Sequence, residues 1–135
     1  MKKLLFIALL AMFAMPTMAQ THRIYCEIVG NLKFMSTKID ISVDFGQKQQ
    51  LASNNKLVGE DGKPIKFESM VDAMNHMGRL GWKFEQAYVV TMGQVNIYHW
   101  LLSKDILEGE DGTEGLQTKT QFRQEQKQTD ANLTE

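Results

Sequence analysis

Residues 69–103 read SMVDAMNHMGRLGWKFEQAYVVTMGQVNIYHWLLS, and this stretch decides the fold. Ser69 is an N-cap residue, because its hydroxyl accepts from an otherwise unpaired backbone N–H, and Asp72 three positions on resembles a capping box. Met70, Ala73, Met74, Met77 and Leu80 recur at three and four residues and make one apolar stripe, with Asp72, Asn75, His76 and Arg79 opposite. Gly81 stands where a left-handed C-cap is wanted. The spacing predicts a helix over 70–80.

Trp82 opens the next element. Trp82, Phe84, Tyr88 and Val90 share one parity, and Ala87, Val89 and Thr91 the other, which predicts a strand to about residue 91. Met92-Gly93-Gln94 is a short link, and 95–103 is again rich in β-formers, so the two runs make a hairpin. Its second strand is apolar on both sides, with Val95, Ile97, His99 and Leu101 on one and Tyr98, Trp100 and Leu102 on the other. That is the pattern of burial on both faces, and one helix covers only one of them. With the helix over Trp82, Phe84, Tyr98, Trp100 and Leu102, the second face holds Ala87, Val89, Val95, Ile97, His99 and Leu101. Self-association, a protein partner, a small apolar ligand, or the chain's own loop 47–56 or early tail would each cover it. Val89, Val95, Ile97, His99 and Leu101 form the candidate interface.

Upstream, Lys2 and Lys3, an apolar run over 4–14 and Pro16-Thr17-Met18-Ala19 read as an export signal cut before Gln20. The run is short of the ~20 residues a membrane span needs, so the expectation is an exported protein, periplasmic or secreted and not membrane-embedded after cleavage. The 135 residues carry 15 basic and 16 acidic groups, and loss of 1–19 removes two lysines and no acid. No basic stripe is present to neutralise phosphates, which argues against nucleic acid. A single cysteine, Cys26, excludes an internal disulfide.

A first mature strand is expected over 22–29, and Gly30-Asn31 reads as a tight turn, with a looser excursion over 31–38 as the alternative. Ile39, Ile41, Val43 and Phe45 alternate with Asp40, Ser42 and Asp44, a strand dry on one side and wet on the other. Residues 56–58 and 65–67 flank Gly59-Glu60-Asp61-Gly62-Lys63-Pro64, which reads as a small hairpin. After Lys104, Glu, Gln, Thr and Gly dominate, with Leu107, Leu116, Phe122 and Leu133 scattered singly. Such a segment buries too little apolar surface to offset its ordering entropy, and a disordered acidic tail is expected over 105–135, with a transient polar helix near 117–127. The prediction is a signal peptide over 1–19, a domain over 20–104 and that tail. The domain is α+β: an antiparallel sheet of about five strands with one helix packed on one face.

Leu80-Gly81-Trp82-Lys83-Phe84-Glu85 after a helix, followed by an apolar hairpin ending Tyr98-His99-Trp100-Leu101-Leu102, resembles the core of short bacterial proteins grouped as domain of unknown function 4177. The chain is also similar to secreted, uncharacterised Gram-negative proteins that carry the Phe-Glu-Gln-Ala-Tyr-Val-Val and Tyr-His-Trp-Leu-Leu runs. The resemblance covers about 65–104 and implies a fold but no activity.

The side chains able to do chemistry are His76, His99, Cys26, Asp40, Asp44 and Ser103, with His22 beside the mature terminus. Asp40 and Asp44 read as the wet side of a strand, His76 as the partner of Asp72 one turn back, and Cys26 as a small buried apolar residue. The sequence has no metal-ligand spacing, nucleophile elbow or glycine-rich phosphate loop, so no cofactor or metal is expected. The reading is a non-catalytic exported module that binds a periplasmic protein or forms a homo-oligomer through the second hairpin face. A small hydrolase-like enzyme with His99 as base, and an adaptor acting through its acidic tail, are the alternatives.

Overall fold

The computed structural model describes residues 20–32, 39–48 and 54–133. The expected signal over 1–19 and the excursion over 33–38 lie outside the described residues. Among the described residues four strands are formed: β1 (Thr21–Leu32), β2 (Ile39–Asp44), β3 (Lys83–Met92) and β4 (Val95–Leu107). Helix α1 (Met70–Arg79) lies between β2 and β3, and α2 (Lys119–Asn132) follows β4. The sheet order is β2-β1-β4-β3 and every pair is antiparallel. The expected α+β class and antiparallel sheet are therefore present, with four strands rather than about five. Residues 56–58 and 65–67 form no extended strands, but the small hairpin they were expected to flank does close. Val58 bridges Pro64 antiparallel, the Ile65 N–H donates to the Leu57 carbonyl and that of Gly59 to the Lys63 carbonyl, while Leu57 also bridges Thr118. The chain does not turn at Gly30-Asn31, since β1 continues through Leu32.

Alternation sorts the sheet into two faces. Cys26 and Ile28 of β1, Leu102 and Ile106 of β4, and Ile41 and Val43 of β2 are buried on the side of α1. Onto them α1 lowers Met70, Ala73 and Met77, the fully buried line of the stripe, while Met74 and Leu80 pack at its margin. Gly30 lets the helix come this close. A Cβ there would run into the Met70 thioether and stand 2.9 Å from Ile39 Cδ1.

The helix ends are fixed locally. Ser69 accepts from the Asp72 N–H, and Asp72 reaches back to the N–H of Glu68. At the other end Gly81, at φ +89°, turns the chain so that its N–H bonds Gly78 and that of Trp82 bonds Met77. These two bonds form a Schellman motif. They swing Trp82 under the helix, where it is 2 % exposed.

The segment after Lys104 is built into the fold, contrary to the expected disorder. β4 runs on to Leu107. Gly112 is folded against Ile24 and Ile106, and its carbonyl accepts from Lys104 Nζ at 3.1 Å. Leu116 enters the core at 7 % exposure. The Val58 N–H donates to the Gln117 carbonyl and that of Lys119 to the Lys56 carbonyl, so the tail pairs with residues 56–58. Thr118 and Gln121 then close a full capping box that starts α2. The helix itself buries no residue and contacts no other helix or strand.

Candidate functional site

The face of the sheet turned away from α1 carries the sequence-predicted surface. Register fixes its members: β1 offers Arg23, Tyr25, Glu27, Val29 and Asn31, and β4 offers Ile97, His99, Leu101, Ser103 and Asp105 opposite them. β3 adds Gln86, Tyr88 and Val90, aligned with Leu101, His99 and Ile97. Asp40, Ser42 and Asp44 complete it from β2. The two aspartates thus lie on the wet side of their strand, and Asp40 is paired with Lys56 Nζ at 2.6 Å.

Four of the five candidate interface residues, Val95, Ile97, His99 and Leu101, share this face. Val89 does not. A bulge between Phe84 and Gln86 inserts one residue, so beyond it the parity of β3 reverses. Ala87 and Val89 align with Trp100 and Tyr98 on the helix side, while Tyr88 and Val90 take the places assigned to them on the second face. Strict alternation from Trp82 gives the opposite assignment, and the irregularity has no marker in the sequence.

Two polar groupings sit among the apolar residues. Glu27 accepts from the Tyr88 hydroxyl at 2.5 Å, and its other oxygen lies 3.1 Å from His99 Nδ1. The Tyr88 and His99 rings stack at 4.7 Å between centroids and 7° between planes. Donating to a carboxylate holds the Tyr88 phenol above its ordinary pKa. Nearer the end of β4, Arg23 grips Asp105 at 2.8 Å and approaches Glu85 at 3.8 Å, and Ser103 donates to Glu85. The Arg23–Asp105 hydrogen bond holds the aspartate below the usual range and raises the guanidinium. Glu27 and Tyr88 were not among the expected site residues. The legible signal was parity, which sets Glu27 opposite to Cys26 and Ile28.

This arrangement orients an imidazole but does not assemble a nucleophile. Ser103 is committed to Glu85, and four positions along a strand place it about 13 Å from His99. No group of three or more His, Cys, Asp or Glu able to hold a metal occurs among the described residues. His76 lies on the other side of the molecule, its ring edge-on to Phe67 at 5.4 Å. Burial, aided by Arg79 and opposed by Asp72, lowers its pKa.

Cys26 is 3 % exposed, and burial pushes its thiol up to about 12, with Asp44 and Glu27 adding to the rise. A thiolate is the reactive form, so Cys26 is expected to resist an aromatic disulfide reagent at pH 8 until the protein is unfolded in urea. Stoichiometric reaction of the native protein within minutes would refute the buried, inert role.

Compared with protein-family models, with curated proteins and with solved structures, the chain matches none. No helix among the described residues is long and apolar enough to cross a membrane.

Proposed function

We propose that this chain is an exported, non-catalytic binding module that docks another copy or a periplasmic protein through the second face of its C-terminal hairpin. One observation carries the reading. Val29, Tyr88, Val90, Ile97 and Leu101 share that face around His99, and none of them joins the core cluster. The helix α1, Leu116 and the stretch around Gly112 all gather on the opposite side, so the early tail is not their cover. Apolar residues grouped around the Glu27–His99 pair, with Asp44, Arg23 and Asp105 at the margin, have the composition of a docking surface, mostly apolar inside and charged at the rim. Export rests on Lys2, Lys3 and the apolar run that follows them, and the kinship to domain of unknown function 4177 on the helix, Gly-Trp step and hairpin.

Ile97→Lys places a charge among these apolar residues without entering the core. Light scattering of the purified protein is expected to show a smaller particle for Ile97→Lys than for the parent, or chemical cross-linking in periplasmic extract is expected to lose a product. If both measurements are the same for the two proteins, the face is not a docking surface.

The Glu27–His99 contact favours one second reading, a hydrolase-like enzyme with His99 as base, because a carboxylate on Nδ1 is how such a ring is oriented. That reading requires a turnover abolished by His99→Ala with the fold intact.

A further inference from the structure

β3 is the outer strand of the sheet, and all ten of its residues are exposed. No described residue makes a backbone hydrogen bond to its outer side. Natural sheets blunt such an edge with lysine, proline, a bulge or a covering segment. Here Lys83, Glu85 and the bulge stand only at the start of the strand, and residues 86–92, QAYVVTM, contain no charge, proline or glycine.

The direction of the free backbone groups follows from the turn. Met92 and Val95 pair across the two-residue link Gly93-Gln94, with Gly93 at φ +63°, a hairpin closed by a hydrogen-bonded pair. Alternation makes Val90, Tyr88 and Gln86 the residues that exchange bonds with β4. Ala87, Val89 and Thr91 therefore point their N–H and C=O groups outward.

We propose that β3 pairs antiparallel with β3 of a second copy about a two-fold axis at Val89, giving one continuous eight-stranded sheet. The strand is complementary to itself in that register. Val89 meets its own mate, Ala87 meets Thr91, Tyr88 meets Val90 and Gln86 meets Met92, so each outward-pointing residue faces another and no charge faces a charge. Glu85 falls opposite Gly93 and Lys83 opposite Val95. Centring the axis on Ala87 drives the pairing into the bulge, and centring it on Thr91 runs it into the turn. Tyr88 beside Val90 is an aromatic–β-branched cross-strand pair. These two residues and Val89 are 41 %, 40 % and 51 % exposed in the single chain. The contact uses the strand edge and leaves the second face open, so it goes beyond the docking reading and stands without it.

The test is made on protein from the full chain carrying Ile97→Lys, which removes face docking. Sedimentation is expected to show a dimer. Adding Val89→Lys, or Val89→Glu, sets like charges across the axis and is expected to weaken the dimer at least about tenfold. Mixing the two variants is expected to restore it. Val89→Pro, which deletes an outward donor and no bond to β4, gives the same loss by a second route. Circular dichroism shows whether each variant keeps its fold. A monomer before any change at Val89, or charged variants that stay dimeric or fail to recombine on mixing, overturns the proposal. Because Ile97→Lys against the parent reports on the face and the Val89 series on the edge, either idea can fail alone.

Discussion

A chain cut after residue 108 is expected to lose most of its stability. Leu116 is in the core at 7 % exposure beside the buried Leu57, and removing a buried leucine costs about 2–5 kcal/mol. The Val58 N–H, on a residue 4 % exposed, would lose the Gln117 carbonyl. Stranding a buried donor costs about 1–3 kcal/mol more. Lys104 would lose the Gly112 carbonyl, and Ile24 and Ile106 would lose the backbone packed against them. A loss of about 3–8 kcal/mol is comparable with the about 5–15 kcal/mol by which whole domains are stable. A chain ending at 123 keeps Thr118, Gln121 and Phe122 and sheds only helix that buries nothing; it should stay within about 1 kcal/mol of the parent. Urea titrations followed by circular dichroism distinguish the three lengths. Equal midpoints for the shortest and the full chain would show that residues 109–118 are not part of the folded unit.

Trp82→Ala is expected to cost about 3–5 kcal/mol, the range for emptying an aromatic site in a core. The indole is 2 % exposed, seals the end of α1, and has Lys104 Nζ 5.9 Å from its ring centroid. Its Nε1 has no hydrogen-bond partner among the described residues. Trp82→Phe therefore gives up ring volume but no hydrogen bond, and should cost less than half as much as the alanine. The ratio is the informative quantity, read from the urea midpoints of the two variants. Equal losses would mean that the indole N–H is bonded after all, and that the site is held by polarity rather than by packing.

The parts of the fold that were legible in the sequence share one property: their signals are local. Ser69 and Gly81 bracket α1 because a cap and a positive φ are decided by neighbours a few residues away. The alternation of Ile39, Ile41 and Val43 sufficed for β2. What was misread depends on contacts made at long range. Leu116 is a single apolar residue in a polar stretch, and nothing near it reveals that 56–58 supplies backbone partners for 117–119. Even so, Thr118 with Gln121 was a readable capping box, and it marks where α2 begins. Val89 was misplaced for a different reason, since the bulge after Phe84 is imposed by how β3 closes against β4. At the candidate site, Ile97, His99 and Leu101 were readable by parity. Glu27 had a readable face, by parity with Cys26 and Ile28, but not a readable contact with His99, since it comes from the other end of the chain; Tyr88 was misplaced because it lies beyond the bulge.

Arg23 and Asp105 are 82 positions apart along the chain and adjacent in the sheet. The strand that emerges first can complete its central ladder only when the last strand has been made. Loop closure over such a span is entropically costly before any contact rewards it, and topologies of this kind assemble slowly. No fragment that stops short of about residue 107 holds the finished sheet, because β4 lies between β1 and β3. β1 therefore has no neighbour on its β4 side until β4 has been made, and the two close on each other together.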